Sequence, residues 1–273
     1  MTINKVQIVP TGSALGAEVK GLDLRHPLSA ELVGHLRAAF LEHCVLLFRD
    51  QQISEADHVR FSRYFGNPSP HTREQDDRPI AEIFVISNVE EDGKPIGALG
   101  NDEIRFHSDL SYMQEPGSIS ILYAVEVTDA GGDTMWTNCY AAYEALDEEL
   151  KKRVAGLTAI HRHPREQQNP PVPASHPVIR THPETGRPTI YVSPHFTRYI
   201  EGVSEEESRE LLDRLIEHTT QPRFVWKHHW RAGDLMMWDN RCTMHRREAF
   251  DNSQRRIMKR TQVYGGEPHL FHD

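Results

Sequence analysis

The stretch IRFHSDLSYMQEPGSISILYAVEVTDAGGDTMWTN, residues 104–138, decides the fold class. It reads as three short strands, 104–112, 118–127 and 133–138, cut by Pro116-Gly117 and Gly131-Gly132. Apolar and β-branched runs bounded by turn residues are the mark of a sandwich or barrel. Downstream the same texture recurs at 158–163, 177–181, 188–193, 223–230, 234–239 and 256–264, interrupted by helical patterns over Tyr140 to Val154 and Ser204 to Thr219. The segment 164–176, rich in Pro, Gln and Asn, reads as a loop long enough to cover a site.

Upstream the pattern is mixed. Ser29 to His43 places Leu32, Leu36, Ala39 and Phe40 at helical spacing, Val45 to Phe48 is a buried-strand run, and Ser54 is positioned to cap a helix reaching Phe65. A strand over Phe84 to Ser87 follows the break at Gly66, Asn67, Pro68 and Pro70. The expected class is mainly β with flanking helices. One catalytic domain is expected over 1–273, with an α/β portion at about 1–90 packed on the β core.

Composition narrows the function. A formal net charge of −9 gives no electrostatic reason to bind a phosphate backbone, so nucleic acid is not an expected partner. The start MTINKVQIVPTGSALG lacks a signal-peptide pattern, and no apolar run approaches membrane-spanning length, so a soluble, cytoplasmic protein is expected. Cys44, Cys139 and Cys242 are odd in number and widely separated, which offers neither a disulfide framework nor a metal knuckle.

His107-Ser-Asp109 is the only HxD in the chain, and on an extended segment residues i and i+2 share a face. His107 and Asp109 are thus placed to grip one ion. His245, in Trp238-Asp-Asn-Arg-Cys-Thr-Met-His245, offers a third ligand 138 positions on. Two imidazoles and a carboxylate on one side of a metal leave coordination positions open for reactants. The same donors also bind zinc, so a zinc-dependent hydrolase stands as an alternative, as does a non-catalytic binding protein of the same β architecture. His182-Pro-Glu184 imitates the pattern but lies in Thr-His-Pro-Glu-Thr-Gly, which reads as a turn. His161, His163, His228, His229, Trp226 and Trp230 read as structural.

The chain resembles the taurine dioxygenase and phenoxyacetate-herbicide dioxygenase family over nearly its whole length. The resemblance rests on Leu15-Gly-Ala-Glu, Phe48-Arg-Asp-Gln, Arg63-Tyr-Phe-Gly66, His107-Ser-Asp109, Gly131-Gly-Asp-Thr134, Arg180-Thr-His-Pro-Glu-Thr-Gly, Gly233-Asp-Leu, Trp238-Asp-Asn-Arg and Arg255-Arg-Ile-Met-Lys-Arg260. It implies a double-stranded β-helix, or jelly roll, with Fe(2+) bound by His107, Asp109 and His245. It also implies 2-oxoglutarate as co-substrate, its distal carboxylate held by Thr134 and Arg256, eleven residues after His245. An arginine fork beside a hydroxyl donor suits a carboxylate. Relatives assemble as dimers or tetramers, so a homo-oligomer is expected.

Substrate class rests on two residues. On an extended 256–264, Arg256, Met258 and Arg260 share a face, and one dicarboxylate tail needs only one cation. Arg260, which matches the taurine enzyme's substrate-anion position, therefore suggests a small anionic substrate, oxidised with O2. The bland reading pairs it with a structural carboxylate. His71 matches a substrate-contacting histidine by its offset of six from Phe65. Two departures, Glu74 for an aromatic and Glu103 for an amide, put taurine itself in doubt. Asp109 favours hydroxylation over halogenation, because halogenating relatives lack that carboxylate.

Overall fold

Two sheets face one another, and the chain passes between them repeatedly. In the computed structural model, which describes residues 6–71, 78–266 and 268–270, the larger sheet has eight strands. Their order is Gln7–Pro10, Ala17–Lys20, Val45–Phe48, Leu235–Asp239, Gly117–Glu126, Ile257–Tyr264, Phe84–Ser87 and Ala98–Leu99. The smaller sheet runs Val225–His228, Thr134–Asn138, Thr243–Arg247 and Ile104–His107. Along the chain, Ile104–His107 lies in the small sheet, Gly117–Glu126 in the large, Thr134–Asn138 in the small, Leu235–Asp239 in the large, Thr243–Arg247 in the small and Ile257–Tyr264 in the large. This winding between sheets is the double-stranded β-helix, and the fold class is mainly β with flanking helices.

Strand alternation explains why both faces of the large sheet are apolar. Leu46, Phe48, Leu235 and Met237 point to one side and pack with Leu32, Leu36 and Phe40 of the helix Ala30–His43 and Phe61 of the helix Glu55–Arg63. Val45, Leu47, Met236 and Trp238 point to the other side and meet Trp136 of the small sheet. The Trp136 and Trp238 rings lie 5.7 Å apart in an edge contact. Each fully buried large apolar side chain contributes about 1.5–3 kcal/mol. The helices start where capping chemistry allows. Ser29 accepts from the Leu32 amide, and Ser54 with Asp57 forms a reciprocal capping box.

The elements depart from the sequence reading at several places. The first strand stops at His107, because Leu110 takes φ 57° and the chain turns, so Asp109 sits on a turn rather than a pleat. The helix expected over Tyr140 to Val154 is two, Cys139–Glu144 and Glu148–Val154, the second capped by Asp147 accepting from Leu150. The 164–176 segment is only partly loop, since Ala174–Pro177 pairs with Thr158–His161. Thr243–Arg247, which bears His245, and Thr197–Ile200 are strands that the pattern did not reveal.

Candidate metal centre

The small sheet brings two of the three candidate ligands together by register. His107 and His245 are directly opposite partners on adjacent strands, and their rings stand 4.2 Å apart. Asp109 reaches them from the turn that follows His107. Its Oδ1 is 3.6 Å from His107 Nε2, and its Oδ2 is 3.9 Å from His245 Nε2. All three are buried, and one ligand atom from each falls within a mutual 4.8 Å. A site of this donor set fits a divalent metal with open positions.

The surrounding groups orient these ligands. His107 Nδ1 lies 2.8 Å from the Arg105 carbonyl, which fixes Nε2 as the free nitrogen facing Asp109. Ser120 donates to Asp109 Oδ2 at 2.6 Å, and Asn240 donates from Nδ2 to Ser120 Oγ at 2.9 Å. Asn240 Oδ1 accepts from the Asp109 amide and from Trp238 Nε1. Arg260 Nη1 donates to Asp109 Oδ1 at 3.1 Å. Burial alone would raise the Asp109 pKa, but the charges of Arg260 and His245 and the contact with His107 outweigh it and hold the carboxyl well below its usual range. Burial, reinforced by the neighbouring His107, pushes the His245 imidazole down to about 3, leaving a neutral ring able to coordinate.

Two buried arginines are candidates for holding anions, and Arg260 touches the triad through Asp109. Arg256 is buried, and its Nη2 has only a long contact, 3.4 Å, to the Gly132 carbonyl. Burial and the nearby Arg247 lower its pKa to about 9, against an opposing pull from Asp133. Gly132 stands at φ 70°, and a Cβ there would lie 3.3 Å from Arg256 Nε, so glycine gives the guanidinium its space. Thr134 Oγ1 accepts from Trp230 Nε1 at 2.9 Å, which leaves its own hydrogen free to donate. Arg260 is buried, keeps Nε without a partner, and lies over the Phe84 ring. His71 stacks on the same Phe84 ring, centroids 4.1 Å apart.

Leu99, Tyr112, His163, His195 and Phe196 join His71, His107, Asp109 and Arg260 around a cavity of about 60 Å³. A hollow of about 700 Å³ between Arg105 and Ile216 is larger but includes none of the triad. Donors and burial mark the site, and volume does not.

The sequence singled out His71, Thr134, Arg256 and Arg260; the structure brings His71 and Arg260 to this cavity, sets Thr134 on the small sheet, and places Arg256 just before the large-sheet strand Ile257–Tyr264 with its guanidinium near the Gly132 carbonyl. It missed Ser120, Asn240 and Trp230 as supports and Leu99 and His195 as walls. Glu103 turns away and pairs with Arg246 at 3.0 Å, while Glu74 lies outside the described residues. His182 is in a turn region as read, yet it is fully buried against Asp239 at 3.1 Å. Arg241 grips that same Asp239 from Nε and Nη2, which occupies the carboxylate. His163, read as structural, lines the cavity. The three cysteines are buried and free.

A sequence model of the taurine catabolism dioxygenase TauD, TfdA family matches residues 7–262. The alpha-ketoglutarate-dependent 2,4-dichlorophenoxyacetate dioxygenase of Burkholderia sp. (strain RASC) is 34% identical, over 97% of this chain and 95% of its own length. A taurine dioxygenase structure from Burkholderia xenovorans superposes with a TM-score of 0.84 at 37% identity, covering 97% of this chain and 91% of that one. AAD-2 in complex with Mn(II) and N-oxalylglycine superposes at 0.82 with 34% identity, over 99% and 100% of the two chains. Among the described residues no helix is long and apolar enough to cross a membrane.

Proposed function

Since the chain belongs to the TauD/TfdA family and is a 2-oxoglutarate-dependent dioxygenase, we propose that it uses iron to hydroxylate a small anionic organic molecule. A carboxylate, an aryloxyalkanoate or a sulfonate is the substrate class. On this reading the whole chain is one catalytic domain. His107, Asp109 and His245 hold Fe(2+), and Thr134 with Arg256 receives the distal carboxylate of 2-oxoglutarate. Bound together, the metal, 2-oxoglutarate and O2 supply the oxidation, releasing succinate and carbon dioxide and leaving one oxygen atom as the product's hydroxyl.

The observation that carries the substrate class is Arg260. It is buried at the triad's cavity, satisfies Asp109 through Nη1, and retains a buried Nε with no partner. A buried donor of this kind is costly unless a ligand meets it, and an anion meets it best. His71, stacked on Phe84 beside Arg260, supplies a second polar wall for the same group. Thr134 and Arg256 have no evident task in a zinc hydrolase, which favours the oxidative reading.

Succinate release across a panel of small sulfonates, aryloxyalkanoates and other carboxylates tests the proposal. Turnover of anionic members is expected. Turnover restricted to neutral compounds would refute the role of Arg260.

A further inference from the structure

Arg247 lies two residues beyond His245 on the strand Thr243–Arg247, so both side chains leave the same face of the small sheet. Its register partner is Thr134, and cross-strand partners stand close enough for their side chains to meet. The Arg247 and Arg256 guanidiniums both lean on the Phe250 ring, at 5.4 and 5.8 Å. Arg247 is 5% exposed. Its Nη2 donates to the carbonyls of Leu99, at 3.1 Å, and of Asp102, while Nε and Nη1 are buried with no partner. Leu99 is a wall of the triad's cavity, and it holds a left-handed φ of 71° beside Gly100.

A guanidinium with two idle buried donors, beside a second buried guanidinium, is destabilised until an anion arrives. We infer that Arg247 is a further binding residue of the 2-oxoglutarate cradle: it turns its free donors to the carboxylate that Thr134 and Arg256 hold, and through the Leu99 and Asp102 carbonyls it fixes the substrate pocket's wall. Co-substrate binding and pocket shape are thereby coupled. The inference rests on the proposed role of Thr134 and Arg256.

The test uses the full chain loaded with Mn(II) and titrated with N-oxalylglycine. Arg247→Met should weaken binding about tenfold or more, with Mn(II) affinity changed by less than about twofold, and Arg247→Lys should lose less than Arg247→Met. In the unsubstituted protein, N-oxalylglycine should slow hydrogen exchange of the 98–104 amides, a readout that does not depend on how the variants fold. Parental N-oxalylglycine affinity in Arg247→Met, or no added protection at 98–104 in the unsubstituted protein, overturns the inference. If Arg256→Met also binds normally, the cradle itself is wrongly assigned. If Arg256→Met fails to bind while Arg247→Met binds normally, only the role of Arg247 falls.

Discussion

Arg260 and Asp109 form one buried ion pair, Nη1 to Oδ1 at 3.1 Å, so the proposed substrate clamp is also a neighbour of the proposed metal ligand. Of the two readings of Arg260, the partner of a carboxylate is the contact present, and the proposed anion receptor uses the same side chain. Its planar fork permits this, because Nη1 is engaged and Nε is not. On the proposed function, substrate binding and the orientation of Asp109 are coupled at that guanidinium.

Arg260→Met is expected to lower kcat/KM for an anionic substrate by about a hundredfold or more, the usual scale for removing one partner of a buried charge pair. The KM for 2-oxoglutarate should move far less. Arg260→Lys should recover only part, since an ammonium cannot serve two acceptors in a fixed fork. An unchanged substrate KM in Arg260→Met would remove Arg260 from the substrate site.

Ser120 is invisible in the sequence as a functional residue, yet its hydroxyl makes the 2.6 Å bond to Asp109 Oδ2. Ser120→Ala should weaken Fe(II) or Mn(II) binding about 10- to 100-fold, as loss of a ligand-orienting partner commonly does. A metal titration of the folded variant gives the answer. Parental affinity would mean that Arg260 and Asn240 orient the carboxylate without it.

Buried histidines set the acid response. Burial, against a hydrogen bond to the Ile121 carbonyl, pushes His58 from 6.5 to about 4, and His176 is pushed to a similar value. A folded-state pKa below the unfolded one means that the neutral ring's stabilisation is complete above pH 6.5 and is lost as pH falls towards 4. Between pH 7 and 5, His58→Asn should lose about 2 kcal/mol less stability than the unsubstituted protein in denaturant unfolding. Equal losses in the two proteins would contradict this reading of His58.

What could be read from the sequence was local. Apolar runs gave the strands Gly117–Glu126, Leu235–Asp239 and Ile257–Tyr264 to within a residue or two, and Ser29 and Ser54 announced their helices. Thr243–Arg247 escaped because Thr-Met-His-Arg-Arg has neither clean alternation nor an apolar run; Thr243, His245 and Arg247, the buried residues of one face, are all polar. The HxD motif was found through a strand periodicity that ends at His107, and Asp109 reaches the same place by a turn. Ser120 and Arg247 gave no signal, since their partners are distant in sequence or across a strand, and Asn240 entered only as part of the motif Trp238-Asp-Asn-Arg. The Arg260 to Asp109 contact spans 151 positions, and no local pattern encodes it.

The most direct test measures succinate formed per substrate consumed, with Fe(II), 2-oxoglutarate and O2, in the unsubstituted protein and in His107→Ala. One succinate per hydroxylated anionic substrate is expected in the first, and no substrate-dependent succinate in the second. Substrate-dependent succinate retained by His107→Ala, or substrate turnover supported by zinc without consumption of 2-oxoglutarate, would contradict the account.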